Sequence, residues 1–157
     1  MLIETWYYQL GTIPESIAMV ALGTALIKEK FTWKQIFTAG LLVGMIGFLL
    51  QQLPIEYGVH VPLGIIVMIL ICCLVLKLRI AKSAAVALIS FIVLVLVEWI
   101  TVLVQTRLLG FTEEQIIGGS DLSRFLFSLP PLIIFMVISL FLQLRLHYSG
   151  RRSKDRA

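Results

Sequence analysis

"AAVALISFIVLVLVEWITVLV", Ala84 to Val104, carries a single ionisable residue, Glu98. At about 1.5 Å per residue it reaches across the roughly 30 Å hydrocarbon core of a bilayer. A helix apolar on every side has no stable place on a water-facing surface. The stretch therefore predicts a membrane span, and the rest of the chain follows the same pattern. Four further runs qualify, at about Trp6–Ile27, Gln35–Leu53, Val61–Leu78 and Arg124–Leu146. The chain of 157 residues is 59% hydrophobic and only 14% charged, where a water-soluble domain is nearer a quarter charged. A soluble fold of this size has too little interior to hide that much apolar surface. The expected class is all-α: an integral membrane protein built as one bundle of five transmembrane helices.

The distribution of positive charge orients the bundle. Lys28, Lys30 and Lys34 lie in the first connection, and Lys77, Arg79 and Lys82 in the third. Arg145, Arg151, Arg152, Lys154 and Arg156 follow the last span, while only Arg107 and Arg124 fall on the other side. Basic connections stay in the cytoplasm, so the N-terminus is expected outside and the C-terminus inside, in the plasma membrane of a bacterial-type cell. The expected division is a membrane domain over residues 1–148 and a basic cytoplasmic tail over 149–157. The start, "MLIETWYY", carries Glu4 where a secretory leader carries positive charge, so the first run reads as a retained span. Although the net charge is +4, its clustering between apolar runs speaks for membrane topology and against nucleic-acid binding.

Smaller features fit this frame. Trp6, Tyr7, Tyr8, Tyr57 and Trp33 fall at span ends as interfacial anchors, and so do His60 and His147. "TWKQ" reads as a capping box, with Thr32 as N-cap and Gln35 closing it, and "TEEQ" offers Thr112 and Gln115 in the same roles. Asp121 is placed to cap the fifth span. Gly40 and Gly44 form a GxxxG pair, with Gly47 beyond it, suited to close helix packing. Cys72 and Cys73 are adjacent, an arrangement that suits packing better than a metal site or a disulfide.

Glu15 and Glu98 are the ionisable side chains well inside the predicted spans. A buried carboxylate in lipid is protonated, paired, or turned to a water-filled space. Counting down from Trp6 and from Arg107 puts both roughly 13 Å below the outer surface. Gln51 and Gln52 end the second span at that side, and Ser16, Thr101 and Ser128 add hydroxyls. Pro14, Pro130 and Pro131 lack the N–H that a helix interior uses, so helix breaks are expected there. Freed backbone at that depth needs protein or a wet cavity to satisfy it. These residues predict a polar pocket in the outer half of the bundle. Two plainer readings stand beside it: Pro14 as an ordinary residue of a helix start, and Glu98 as a hydrogen-bonding strut between helices.

At "YYQLGTIPESIAMVALGTAL" (Tyr7–Leu26) and "AVALISFIVLVLVEWI" (Ala85–Ile100), with the tail after "LQLRLHY", the chain resembles the membrane sensor portion of peptide-sensing, quorum-type bacterial histidine kinases. That family has six or more spans where five are read here. The sequence contains no phosphoacceptor helix and no ATP-binding boxes, so the resemblance implies sensing or regulation without kinase activity. Walker loops, HExxH, CxxC and nucleophile elbows are likewise missing from the sequence. The expectation is a non-enzymatic sensory or accessory protein needing no cofactor and no metal. Its partners would be the bilayer, a small ligand or peptide from outside, and a membrane protein or a second copy of itself. The alternatives are a transporter component using Glu15 or Glu98 for a proton or cation, and a structural subunit of a larger membrane complex.

Overall fold

The computed structural model describes residues 11–51, 59–107, 110 and 121–154. Among them are five helices and no strands: α1 (Thr12–Leu26), α2 (Trp33–Gln51), α3 (His60–Val75), α4 (Ile80–Arg107) and α5 (Asp121–Lys154). Stretches within α2, α4 and α5 (Trp33–Leu50, Ile80–Arg107 and Leu129–Leu146) are long and apolar enough to cross a membrane, while α1 and α3 are shorter apolar helices. Exposure is inverted relative to a water-soluble protein. Leu49, Ile66, Leu70, Ile92, Leu96 and Phe141 point outward, whereas Thr24, Ser83, Ser90 and Gln143 are fully buried. Such a surface in water would be an aggregation site; in hydrocarbon it is the solvated face.

α1 is the hub, packing against α2, α4 and α5, and α3 fills the space between α2 and α4. Its burial explains its composition. Val20 to Ala25 are buried without interruption, so this stretch is enclosed on all sides, and small residues let its neighbours come close. The glycine pair of α2 sits on this contact. A Cβ added at Gly40 would lie 2.9 Å from the Ile17 backbone nitrogen, and one at Gly44 3.0 Å from the Ile13 Cα. Gly23 of α1 makes the matching approach to α4, where a Cβ would lie 2.7 Å from the Val86 carbonyl oxygen.

The helix ends follow local chemistry. α2 opens on the expected capping box: the Thr32 N–H donates to Gln35 Oε1 at 3.1 Å, and the Gln35 N–H reaches back to Thr32 Oγ1 at 3.4 Å. α1 closes in a Schellman turn, with Glu29 N–H donating to Thr24 C=O and Lys28 N–H to Ala25 C=O, both at 3.1 Å. That geometry puts Lys28 in the left-handed region at φ 58°, and Lys77 beyond α3 adopts φ 53°. An ion pair between Glu29 and Lys82 ties the first connection to the start of α4. The basic first and third connections therefore share one end of the bundle.

Several boundaries differ from the sequence expectation. α4 is longer at both ends than Ala84–Val104, and α5 runs on past Leu146 to Lys154, so the basic segment from 149 continues the helix. The expected break at Pro130 and Pro131 does not occur: both lie inside an unbroken helix. The reason lies in a neighbour. Pro131 has no N–H to offer the carbonyl four residues back, at Phe127. Gln105 of α4 donates its Nε2 to that carbonyl at 3.1 Å instead. At Pro14 the backbone is helical from Gly11 onward, with the Glu15 N–H donating to Gly11 C=O at 3.2 Å. A proline in a first turn gives up an N–H that has no partner within the helix. The expected span start at Trp6, the expected capping box at Thr112 and Gln115, and Gln52 lie outside the described residues.

Candidate functional site

Four helices line a partly open cavity of about 210 Å³ at the end of the bundle away from the basic connections. Glu15, Ser16 and Met19 from α1, Val43 and Gly47 from α2, Gly64 and Met68 from α3, and Phe91 and Leu94 from α4 are in its wall. The space exists because small residues stand where the helices diverge. Gly47 presents no side chain, and a Cβ built on Gly64 would meet nothing within 4 Å. Thr12 and His60 also line it, the first residues of α1 and α3 respectively.

The wall is apolar apart from Thr12, Glu15, Ser16 and His60. Ser16 Oγ donates its proton to the Thr12 carbonyl at 2.8 Å, which leaves only oxygen lone pairs for anything inside. Among the described residues no hydrogen bond or ion pair meets the Glu15 carboxylate, and no Lys or Arg lines the cavity. Glu98 is on α4, one turn beyond Leu94, exposed and not itself in the wall. It lies within electrostatic reach of Glu15.

The other sequence candidates separate. Thr101 is buried but donates to Val97 C=O of its own helix at 2.7 Å, away from the cavity. Gln51 ends α2, and Ser128 lies within α5 beside the two prolines. The structure thus gathers Glu15 and Ser16 in one cavity with Glu98 near it, and leaves Thr101 and the Pro130–Pro131 turn on the α4–α5 side.

Sequence reasoning missed a second polar system, which binds α1 to its neighbours. Ser90 Oγ donates to Met19 C=O at 2.7 Å, and Ser139 Oγ to Ala18 C=O at 3.0 Å. Gln143 Nε2 reaches both Ala21 C=O at 2.6 Å and Thr24 Oγ1 at 2.9 Å. Its Oε1 is buried with no partner among the described residues. The signal was present as spacing. Ser83, Ala87, Ser90, Leu94, Val97, Thr101 and Gln105 are all buried and recur every three or four residues, the period of one helix face. In a helix apolar throughout, small and polar residues mark the inward side.

Among the described residues no cluster of three metal-ligating side chains occurs. Compared with family models, with curated proteins and with solved structures, the chain matches none.

Proposed function

We propose that this is a non-enzymatic, five-span protein of the plasma membrane, with its N-terminus outside and its C-terminus in the cytoplasm. It receives a small ligand or membrane partner in the outer half of its bundle and acts as a sensory or accessory subunit. The observation that carries this reading is the cavity, an apolar space between four helices with the Glu15 carboxylate in its wall. A carboxylate held among membrane helices marks a site by default. Support for the topology comes from the Glu29–Lys82 pair, which joins two basic connections at one end, and from the positive-inside rule. The likeness to sensor portions of peptide-sensing kinases supports the regulatory half of the reading. The alternative is a transporter component, favoured by the nearness of Glu98 to Glu15 without a basic residue in the cavity wall.

Reconstitution of the full chain separates the two. Wild type and Glu15→Gln are placed in proteoliposomes under a pH gradient and, in parallel, recovered from native membrane with whatever accompanies them. The expected result is no flux, with the accompanying proteins changed by Glu15→Gln. Flux that runs in the wild type and stops in Glu15→Gln would assign the protein to transport.

A further inference from the structure

We infer that the cavity takes a small apolar amine in its ammonium form, with the charged nitrogen held at Glu15. This rests on the pocket reading above and specifies its ligand. Three observations converge on it. The carboxylate of Glu15 has neither a hydrogen-bond donor nor a cation as partner among the described residues, and Glu98 stands within electrostatic reach of it. Desolvated carboxylate without a counter-charge is expensive, so an entering cation gains more here than in water. Next, the Ser16 hydroxyl proton is already committed to the Thr12 carbonyl. Glu15 and Ser16 turn acceptor oxygens to the space, which a donor nitrogen complements. Finally, Met19, Val43, Met68, Phe91 and Leu94 give the rest of the wall an apolar character. Phe91 adds a ring able to attract a cation, and the two methionine thioethers adapt to an irregular body.

Volume limits the size. A dry cavity of about 150 Å³ holds a benzene molecule. The 210 Å³ here leaves room for an aromatic ring plus a short aminoalkyl arm. A bare metal ion would leave most of the apolar wall uncovered.

The test uses the full chain in lipid nanodiscs and three isosteric probes: phenethylamine, 2-phenylethanol and phenylacetate, with sodium chloride as a fourth. Binding is read by calorimetry and by the shift of the thermal unfolding midpoint. Phenethylamine should bind saturably at least tenfold tighter than 2-phenylethanol, with phenylacetate not binding. Glu15→Gln should erase that tenfold preference, and Glu98→Gln should reduce it by a few-fold. Gly64→Leu, which projects into open space and fills the cavity, should abolish binding of both the amine and the alcohol while the protein stays folded. Equal binding of amine and alcohol, lost in Gly64→Leu, would overturn the amine assignment and leave the pocket standing. Binding by no probe, or binding that survives Gly64→Leu, would overturn both. A midpoint shift with sodium equal to that with phenethylamine would replace the amine by an inorganic cation.

Discussion

At the scale of single residues, two lysines occupy backbone positions that ordinarily fall to glycine. Lys28 and Lys77 stand at φ 58° and 53° just beyond α1 and α3. A side-chain-bearing residue in this region gives up roughly 1–2 kcal/mol. Glycine would remove that strain but would also loosen the unfolded chain, an opposing effect of about 0.4–1 kcal/mol. Lys28→Gly and Lys77→Gly should therefore each stabilise the folded bundle by about 0.5–1 kcal/mol, read as a raised unfolding midpoint in mixed micelles. The lysine charge suits a helix C-terminus. Glu15 was legible as a functional candidate because an acid in an apolar run has few innocent explanations. His60 was read as an interfacial anchor, and Met68 and Phe91 were not singled out, yet all three share the cavity wall with Glu15. In sequence they are scattered over α3 and α4, and no local pattern announces which side of an apolar helix meets a space rather than lipid.

Among the helices, the contrast between two kinds of glycine is the sharpest guide to packing. Gly40 is pressed against the Ile17 backbone, while Gly64 faces open space. Gly40→Val should thus separate α2 from α1 at a loss of about 2–3 kcal/mol. Gly64→Ala should instead gain up to about 1 kcal/mol from helix propensity alone. Equal effects of the two substitutions, measured by reversible unfolding in micelles, would show that this α1–α2 contact is absent. The α4–α5 seam makes a subtler prediction. Gln105 supplies the Phe127 carbonyl with the donor that Pro131 lacks. Gln105→Leu should destabilise by about 1 kcal/mol, the upper half of what interhelical hydrogen bonds contribute in membranes. In a Pro131→Ala background the backbone N–H returns, and the same change should be close to neutral. That non-additivity is the signature of a shared carbonyl. The sequence marked the carbonyl freed by Pro131 as needing a partner, which Gln105 supplies, but expected a break. Proline predicts the missing bond, and only the tertiary neighbour decides whether the helix yields.

For the molecule as a whole, hydropathy carried the five helical segments, since they follow from composition along the chain. Which faces meet did not follow. In lipid the usual contrast of apolar inside and polar outside is lost, so amphipathic periodicity is muted. The sparse serine, threonine and glutamine positions are what remain to specify the interior, and they place α1 at the centre through Ser90, Ser139 and Gln143. The topology that results is open to a direct test. Single cysteines would be introduced at Lys30, Lys77 and Gly110, in a background in which Cys72→Ala and Cys73→Ala remove the native thiols. All three sites are exposed. Gly110 follows the far end of α4 from Lys82, so it belongs to the end opposite the Glu29–Lys82 pair. In intact cells a membrane-impermeant maleimide should modify the cysteine at 110 and spare those at 30 and 77 until the membrane is opened. Labelling at 30 and 77 from outside would invert the protein and put the Glu15 cavity in the cytoplasmic half. Labelling of 30 without 77 would place the two connections on opposite sides, which the Glu29–Lys82 pair does not permit, and would overturn the packing of the bundle itself.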